Sequence, residues 1–98
     1  MSCYFIAQLS IHDHNEYKKY LNRFDSVFEK YDGEVIAVEK NPVILEGDWD
    51  YSRLVLIRFS NEDEAGRWYQ SPEYQSILKH RLNASNGTVL LINSRSEI

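Results

Sequence analysis

Two stretches of the chain alternate in the two-residue period of a β-strand yet carry apolar side chains on both faces, and this restricts the fold more than any other feature. In the first, Cys3, Phe5, Ala7, Leu9 and Ile11 share one face, while Tyr4 and Ile6 stand beside Gln8 and Ser10 on the other. In the second, Arg53 to Phe59, Leu54 and Leu56 oppose Val55, Ile57 and Phe59. A sheet built from such strands needs cover on both sides.

Cover for one side lies in the same chain. Asp13 is placed to cap a helix, with Glu16 three residues on to complete a capping box. Behind it Tyr17, Tyr20, Leu21, Phe24, Val27, Phe28 and Tyr31 recur at three- and four-residue steps on one stripe. The helix is expected to end at Asp32-Gly33, with the glycine left-handed. Glu34 to Lys40 reads as a second strand, Asn41-Pro42 interrupts its ladder, Val43 to Glu46 would resume it, and Gly47 to Ser52 forms a polar and aromatic loop. After the strand Arg53 to Phe59, Ser60 is expected to cap a second helix whose first turn, Glu62-Asp63-Glu64, suits the positive end of the helix dipole.

That second helix buries Ala65, Trp68 and Tyr69 and then breaks at Ser71-Pro72. The Ser71 hydroxyl can cap a new helix, and Pro72 suits a first helical position because its missing N–H would be unpaired anyway. Tyr74, Ile77, Leu78, Arg81 and Leu82 form the stripe of the continuation. Asn86-Gly87 is expected as a turn, Thr88 to Ile92 as the last strand, and Asn93 to Ile98 as a loose tail.

The order strand, helix, strand, strand, helix, strand gives an α+β, ferredoxin-like βαββαβ domain spanning residues 1–98, with a four-stranded antiparallel sheet and the helices on one face. The other face stays bare. A second copy of the chain under two-fold symmetry is the simplest cover, and a chain of 98 residues exposes a large share of its surface if it stays alone. A homodimer is therefore expected.

Composition narrows the partners. A net charge of −4 with dispersed lysines and arginines gives no footprint for a phosphate backbone, so nucleic acid is not expected. No apolar run approaches a membrane span, and no leader pattern opens the chain. The lone cysteine, Cys3, reads as a small buried hydrophobe in a reducing compartment, and a cytoplasmic location follows. His12, His14 and His80 lack metal-ligand spacing and read as surface residues, while phosphate-loop, nucleophile-elbow and Cys–His patterns are all missing, so neither a metal nor a cofactor is expected.

Leu45-Glu46-Gly47-Asp48-Trp49, then Arg53-Leu54-Val55 and Phe59, then Trp68 through Tyr74 and Arg81, resemble a bacterial family known only as domain of unknown function 1330. The resemblance covers nearly the whole chain, with Arg58 as a departure. It implies a dimeric α+β barrel, a superfamily that also holds small monooxygenases and isomerases, and it implies no particular reaction.

In such a fold the cavity lies between sheet and helices, and the Glu46–Trp49 loop and the Ser71–Tyr74 break are expected to border it together. Glu46 is the candidate general base, with Tyr74 as the alternative proton carrier. Arg53 and Arg81 would hold a substrate carboxylate, and Trp49 and Trp68 would wall the pocket. Two functions fit: a cofactor-independent enzyme performing oxygenation or proton transfer on a small aromatic or carboxylate-bearing molecule, or a non-catalytic homodimer that binds a small ligand or another protein.

Overall fold

The alternating stretches become the two central strands of one sheet. The computed structural model describes residues 2–95 and orders them as β1 (Cys3–Ile11), α1 (His14–Phe28), β2 (Glu34–Glu39), β3 (Arg53–Phe59), α2 (Glu62–Tyr69), α3 (Pro72–Ala84) and β4 (Ser85–Asn93). The strands lie in the order β2-β3-β1-β4, every neighbouring pair antiparallel. This is the ferredoxin-like arrangement, with all three helices on one face.

That face holds the core. Cys3, Phe5, Ala7 and Leu9 of β1 and Ile57 and Phe59 of β3 are buried beneath the helices. At the centre stands Trp68 of α2, fully buried, its ring 5.3 Å from those of Phe5 and Phe59 and 4.2 Å from that of Tyr74. Its indole N–H has no acceptor among the described residues. Rings at these separations and tilts contribute beyond their buried area, about 0.5–1.5 kcal/mol per pair.

The break between α2 and α3 is built as the sequence indicates. The Ser71 hydroxyl donates to the Trp68 carbonyl at 2.8 Å and accepts from the Tyr74 N–H at 3.1 Å, so one buried side chain closes one helix and opens the next. Pro72 is the first residue of α3. The turn aims Tyr74, Ile77, Leu78 and Arg81 inward, whereas Leu82, expected on the same stripe, is 61% exposed.

Several boundaries differ from the expectation. Asp13 does cap α1 through the Glu16 N–H, but the Glu16 carboxylate turns away to Lys19 and His80, so the capping box is half formed. The helix stops at Phe28, and Gly33 is not left-handed; a Cβ there would stand 2.5 Å from the Phe28 ring, so close packing explains the glycine. Asn61, not Ser60, caps α2, accepting from the Glu64 N–H. Val43 to Glu46 does not resume β2 and belongs to a loop over residues 40–52. Asn86-Gly87 is not a turn: β4 begins at Ser85, with Asn86 opposite Ser10 and Gly87 opposite Leu9. The tail expected from Asn93 is strand at its first residue, and its last three residues, 96–98, lie outside the described part.

Register fixes the second face. Ile6 faces Leu56 on one side and Leu90 on the other, and Tyr4 faces Arg58 and Ile92. Leu90 and Ile92 are 52% and 46% exposed, and among the described residues no helix covers this face. Arg58, the departure noted above, is held at the face's margin by Glu34 at 2.9 Å on the neighbouring β2, an exposed pair. Among the described residues no helix is long and apolar enough to cross a membrane.

Candidate functional site

Between α1 and the helix face of the sheet lies a cavity of about 290 Å³. Its floor is Phe5, Ala7, Leu9, Val55 and Ile57; its roof is Tyr17, Tyr20, Leu21 and Phe24 of α1. It exists because α1 leaves the edge of the sheet uncovered: Val35 and Val38 of β2 line the cavity while 42% and 53% exposed, and Leu21 and Asp25 stand exposed on the opposite lip. The volume suits a ligand of one or two rings, at the lower end of the roughly 300–1,000 Å³ found for small-molecule pockets.

Two guanidiniums reach this mostly apolar space. Arg53 starts β3 and lies over the Tyr17 ring, its Cζ 4.8 Å from the centroid. Arg81 comes from the last turn of α3, is only 5% exposed, and lies 5.9 Å from the Tyr20 centroid. Neither joins an ion pair among the described residues, and the Nε of each is buried without an acceptor. Contacts over aromatic faces offset part of the cost of burying a cation and leave these Nε–H donors unmet.

Behind Arg81 the phenol oxygens of Tyr20 and Tyr74 are 2.8 Å apart. Burial pushes the Tyr20 pKa well above the ordinary phenol value, and the neighbouring Tyr74 adds to the shift. Burial also raises Tyr74, against the opposing pull of the Arg81 cation. Burial works against the charge of Arg81, but the two phenols outweigh it and the residue stays cationic. At neutral pH the group is one cation and two protonated phenols. It offers donors to an anionic oxygen and contains no base ready to accept a proton.

Of the residues singled out from sequence, Arg53 and Arg81 meet in the cavity and Tyr74 joins through Tyr20. Trp68 does not line it; the indole is core beneath the helices. Glu46 and Trp49 do not border it either. They line a separate, wide groove with Gln8 and Leu54, which face each other on the uncovered side of the sheet. Backbone chemistry sets that position: the Ser52 N–H donates to the Leu9 carbonyl at 2.7 Å, the Ser10 hydroxyl donates to the Asp50 carbonyl, and the Trp49 indole donates to the Gln8 side chain at 3.0 Å. Glu46 is exposed. The loop and the helix break thus serve opposite faces of the sheet.

Tyr17 and Tyr20 were legible only as members of a buried stripe. Their signal was the hydroxyl, since a phenol on the inner face of a helix needs a polar neighbour. His80, expected at the surface, is half-buried, its Nδ1 2.6 Å from Glu16, and joins α3 to α1 away from the cavity. Among the described residues no cluster of His, Cys, Asp or Glu has a metal-binding arrangement.

The fold and cavity define a small ferredoxin-like α+β protein with a helix-covered pocket. The chain belongs to the family described as Domain of unknown function (DUF1330), whose model matches residues 2–94. Its fold recurs in RPA0582, a protein of unknown function from Rhodopseudomonas palustris, at TM-score 0.79 and 14% identity over 98% of this chain and 84% of that one. SnoaB, a cofactor-independent oxygenase from Streptomyces nogalater, aligns at TM-score 0.68 and 15% identity over 99% and 96% of the two chains. A dimeric ferredoxin-like protein of unknown function from Thermobifida fusca aligns at 0.64 and 11% over 94% and 90%. At these identities the likeness is one of fold. No protein with a curated description is significantly similar in sequence.

Proposed function

We propose that the protein is a homodimer that takes a small organic anion with an apolar body into the cavity of each protomer. One observation supports this above all: Arg81 is buried beside an apolar cavity, and among the described residues no carboxylate pairs with it and its Nε is unmet. A buried cation without a counter-ion is costly, and an incoming carboxylate would supply the missing charge and acceptors together. Dimerisation is supported by the apolar face around Ile6, Leu90 and Ile92 and by the dimeric state of the Thermobifida fusca neighbour. Cys3, buried and unpaired, accords with a cytoplasmic location.

The Tyr20–Tyr74 pair favours a second, catalytic reading. Neutral phenols next to a guanidinium can donate to an enolate or phenolate oxygen, the charge that develops when a proton leaves carbon beside a carbonyl. Proton transfer or cofactor-independent oxygenation of a bound aromatic acid would both use that stabilisation, and the fold shared with the oxygenase SnoaB accords with it. Glu46, on the other face of the sheet, is given no part in this reading; the proton leaving carbon passes to water or a buffer base at the open mouth of the cavity, and Tyr74 acts through Tyr20 as a hydrogen-bond donor to the oxygen that gains charge.

Calorimetry with benzoate and benzamide separates binding from coincidence. Benzoate is expected to bind the wild type and not Arg81→Met, and benzamide to bind neither; an unchanged benzoate affinity in Arg81→Met would remove the site assignment. For catalysis, hydrogen–deuterium exchange at C3 of phenylpyruvate, followed by NMR, should be accelerated by the wild type and not by Tyr74→Phe.

A further inference from the structure

Arg53 and Arg81 enter the cavity from different elements, the start of β3 and the last turn of α3. Each lies over its own tyrosine of α1, Tyr17 and Tyr20, whose ring centroids are 5.6 Å apart. Each also has a buried Nε without an acceptor, so each guanidinium carries an unmet donor. We infer that the cavity is built for a dianion: one or two apolar rings carrying two carboxylates, one for each guanidinium. This rests on the anion-binding reading above and sharpens it.

Charge balance points the same way. Two cations share a space whose walls are otherwise hydrocarbon and phenol, and the only carboxylate on its rim among the described residues, Asp25, is exposed and screened by water. A monoanion would neutralise one guanidinium and leave the other facing low-dielectric surroundings alone. A dianion neutralises both. The body of the ligand follows from the floor, where Leu9, Val55 and Ala7 offer an apolar surface to a ring.

The test is calorimetry at low ionic strength with three probes, isophthalate, benzoate and dimethyl isophthalate, against wild type, Arg53→Met and Arg81→Met. Wild type should bind isophthalate about tenfold or more tighter than benzoate and should not bind the diester. Arg53→Met should erase that advantage, bringing isophthalate to within about twofold of benzoate. Equal affinities of wild type for isophthalate and benzoate would overturn the dianion while leaving the anion reading intact. Benzoate losses of equal size in both variants would also overturn it, showing one carboxylate shared by two guanidiniums. Failure of wild type to bind either acid at millimolar concentration would remove both readings. Should Arg53→Met lose its fold by circular dichroism, Arg53→Lys, which keeps the charge and loses the fork, replaces it, with a reduced preference for isophthalate expected.

Discussion

The phenol oxygens of Tyr20 and Tyr74 lie 2.8 Å apart across the contact between α1 and α3, joined over a sequence separation of 54 residues. Both side chains are almost wholly out of water. Removing one hydroxyl leaves the other buried with one partner fewer. Tyr20→Phe and Tyr74→Phe should therefore each cost about 1–3 kcal/mol in urea unfolding, and the double variant clearly less than the sum of the two. Additive losses would show that the hydroxyls do not depend on each other.

The same pair sets the alkaline limit of the fold. Burial raises both phenols above the ordinary tyrosine value of about 10, so the folded state holds these protons more tightly than the unfolded chain. The stabilisation is complete below that value and is lost as pH climbs from it toward the folded-state pKa. Stability should thus fall above pH of about 10, less steeply in Tyr20→Phe/Tyr74→Phe. Ultraviolet difference titration checks the cause directly, since two of the seven tyrosines should ionise late, together with unfolding.

Arg81→Met gives a prediction of opposite sign. If Arg81 were structural, its loss would destabilise the protein. As a buried cation kept for a ligand, it burdens the empty protein, and methionine, similar in length and apolar, should raise the unfolding free energy of unliganded protein by about 1–2 kcal/mol. Thermal unfolding without ligand decides the matter, and a lowered midpoint would return Arg81 to the structural category.

Sequence periodicity carried the fold because both central strands and both main helices depend on patterns local to each segment. Cys3, Phe5, Ala7 and Leu9 bury as a set, and Ser71 with Pro72 defines its helix start by chemistry within three residues. What stayed hidden depends on distant backbone. The loop from Glu46 to Trp49 takes the far face of the sheet because Ser52 and Asp50 bond to β1, forty or more positions earlier. Arg81 stood out because an arginine on an apolar stripe has no local explanation, and Arg53 was named with it at the start of its strand, whereas Tyr20 became a site residue only when α1 came to lie over the sheet across the cavity.

Gly87 shows the same limit and can be tested against a control. Asn86-Gly87 has the composition of a turn, yet a Cβ at Gly87 would stand 1.9 Å from the Gln8 carbonyl oxygen, so the glycine lets β4 approach β1. Gly87→Ala must push the strands apart and should cost about 3 kcal/mol. Gly66, in the middle of α2, has nothing within 4 Å of such a Cβ, and Gly66→Ala should stabilise by about 0.5–1 kcal/mol through helix propensity. Both are read from urea denaturation midpoints, and equal shifts of one sign would refute the distinction.

The uncovered face yields the prediction with the largest reach. Leu90 stands beside Ile6 at the middle of that face and is 52% exposed in the single protomer, so changing it disturbs little of the protomer's own core. In a two-fold assembly of sheet against sheet the same change enters the interface twice. Burying one leucine is worth about 1.5–3 kcal/mol, and an arginine in its place adds the cost of desolvating a charge on each side. Leu90→Arg should then sediment as a folded monomer at micromolar concentration where the wild type sediments as a dimer. A dimer that persists unchanged in Leu90→Arg would place the interface elsewhere, and a wild type that runs as a folded monomer would mean that the apolar residues on this face of β1 and β4 face water rather than a second copy.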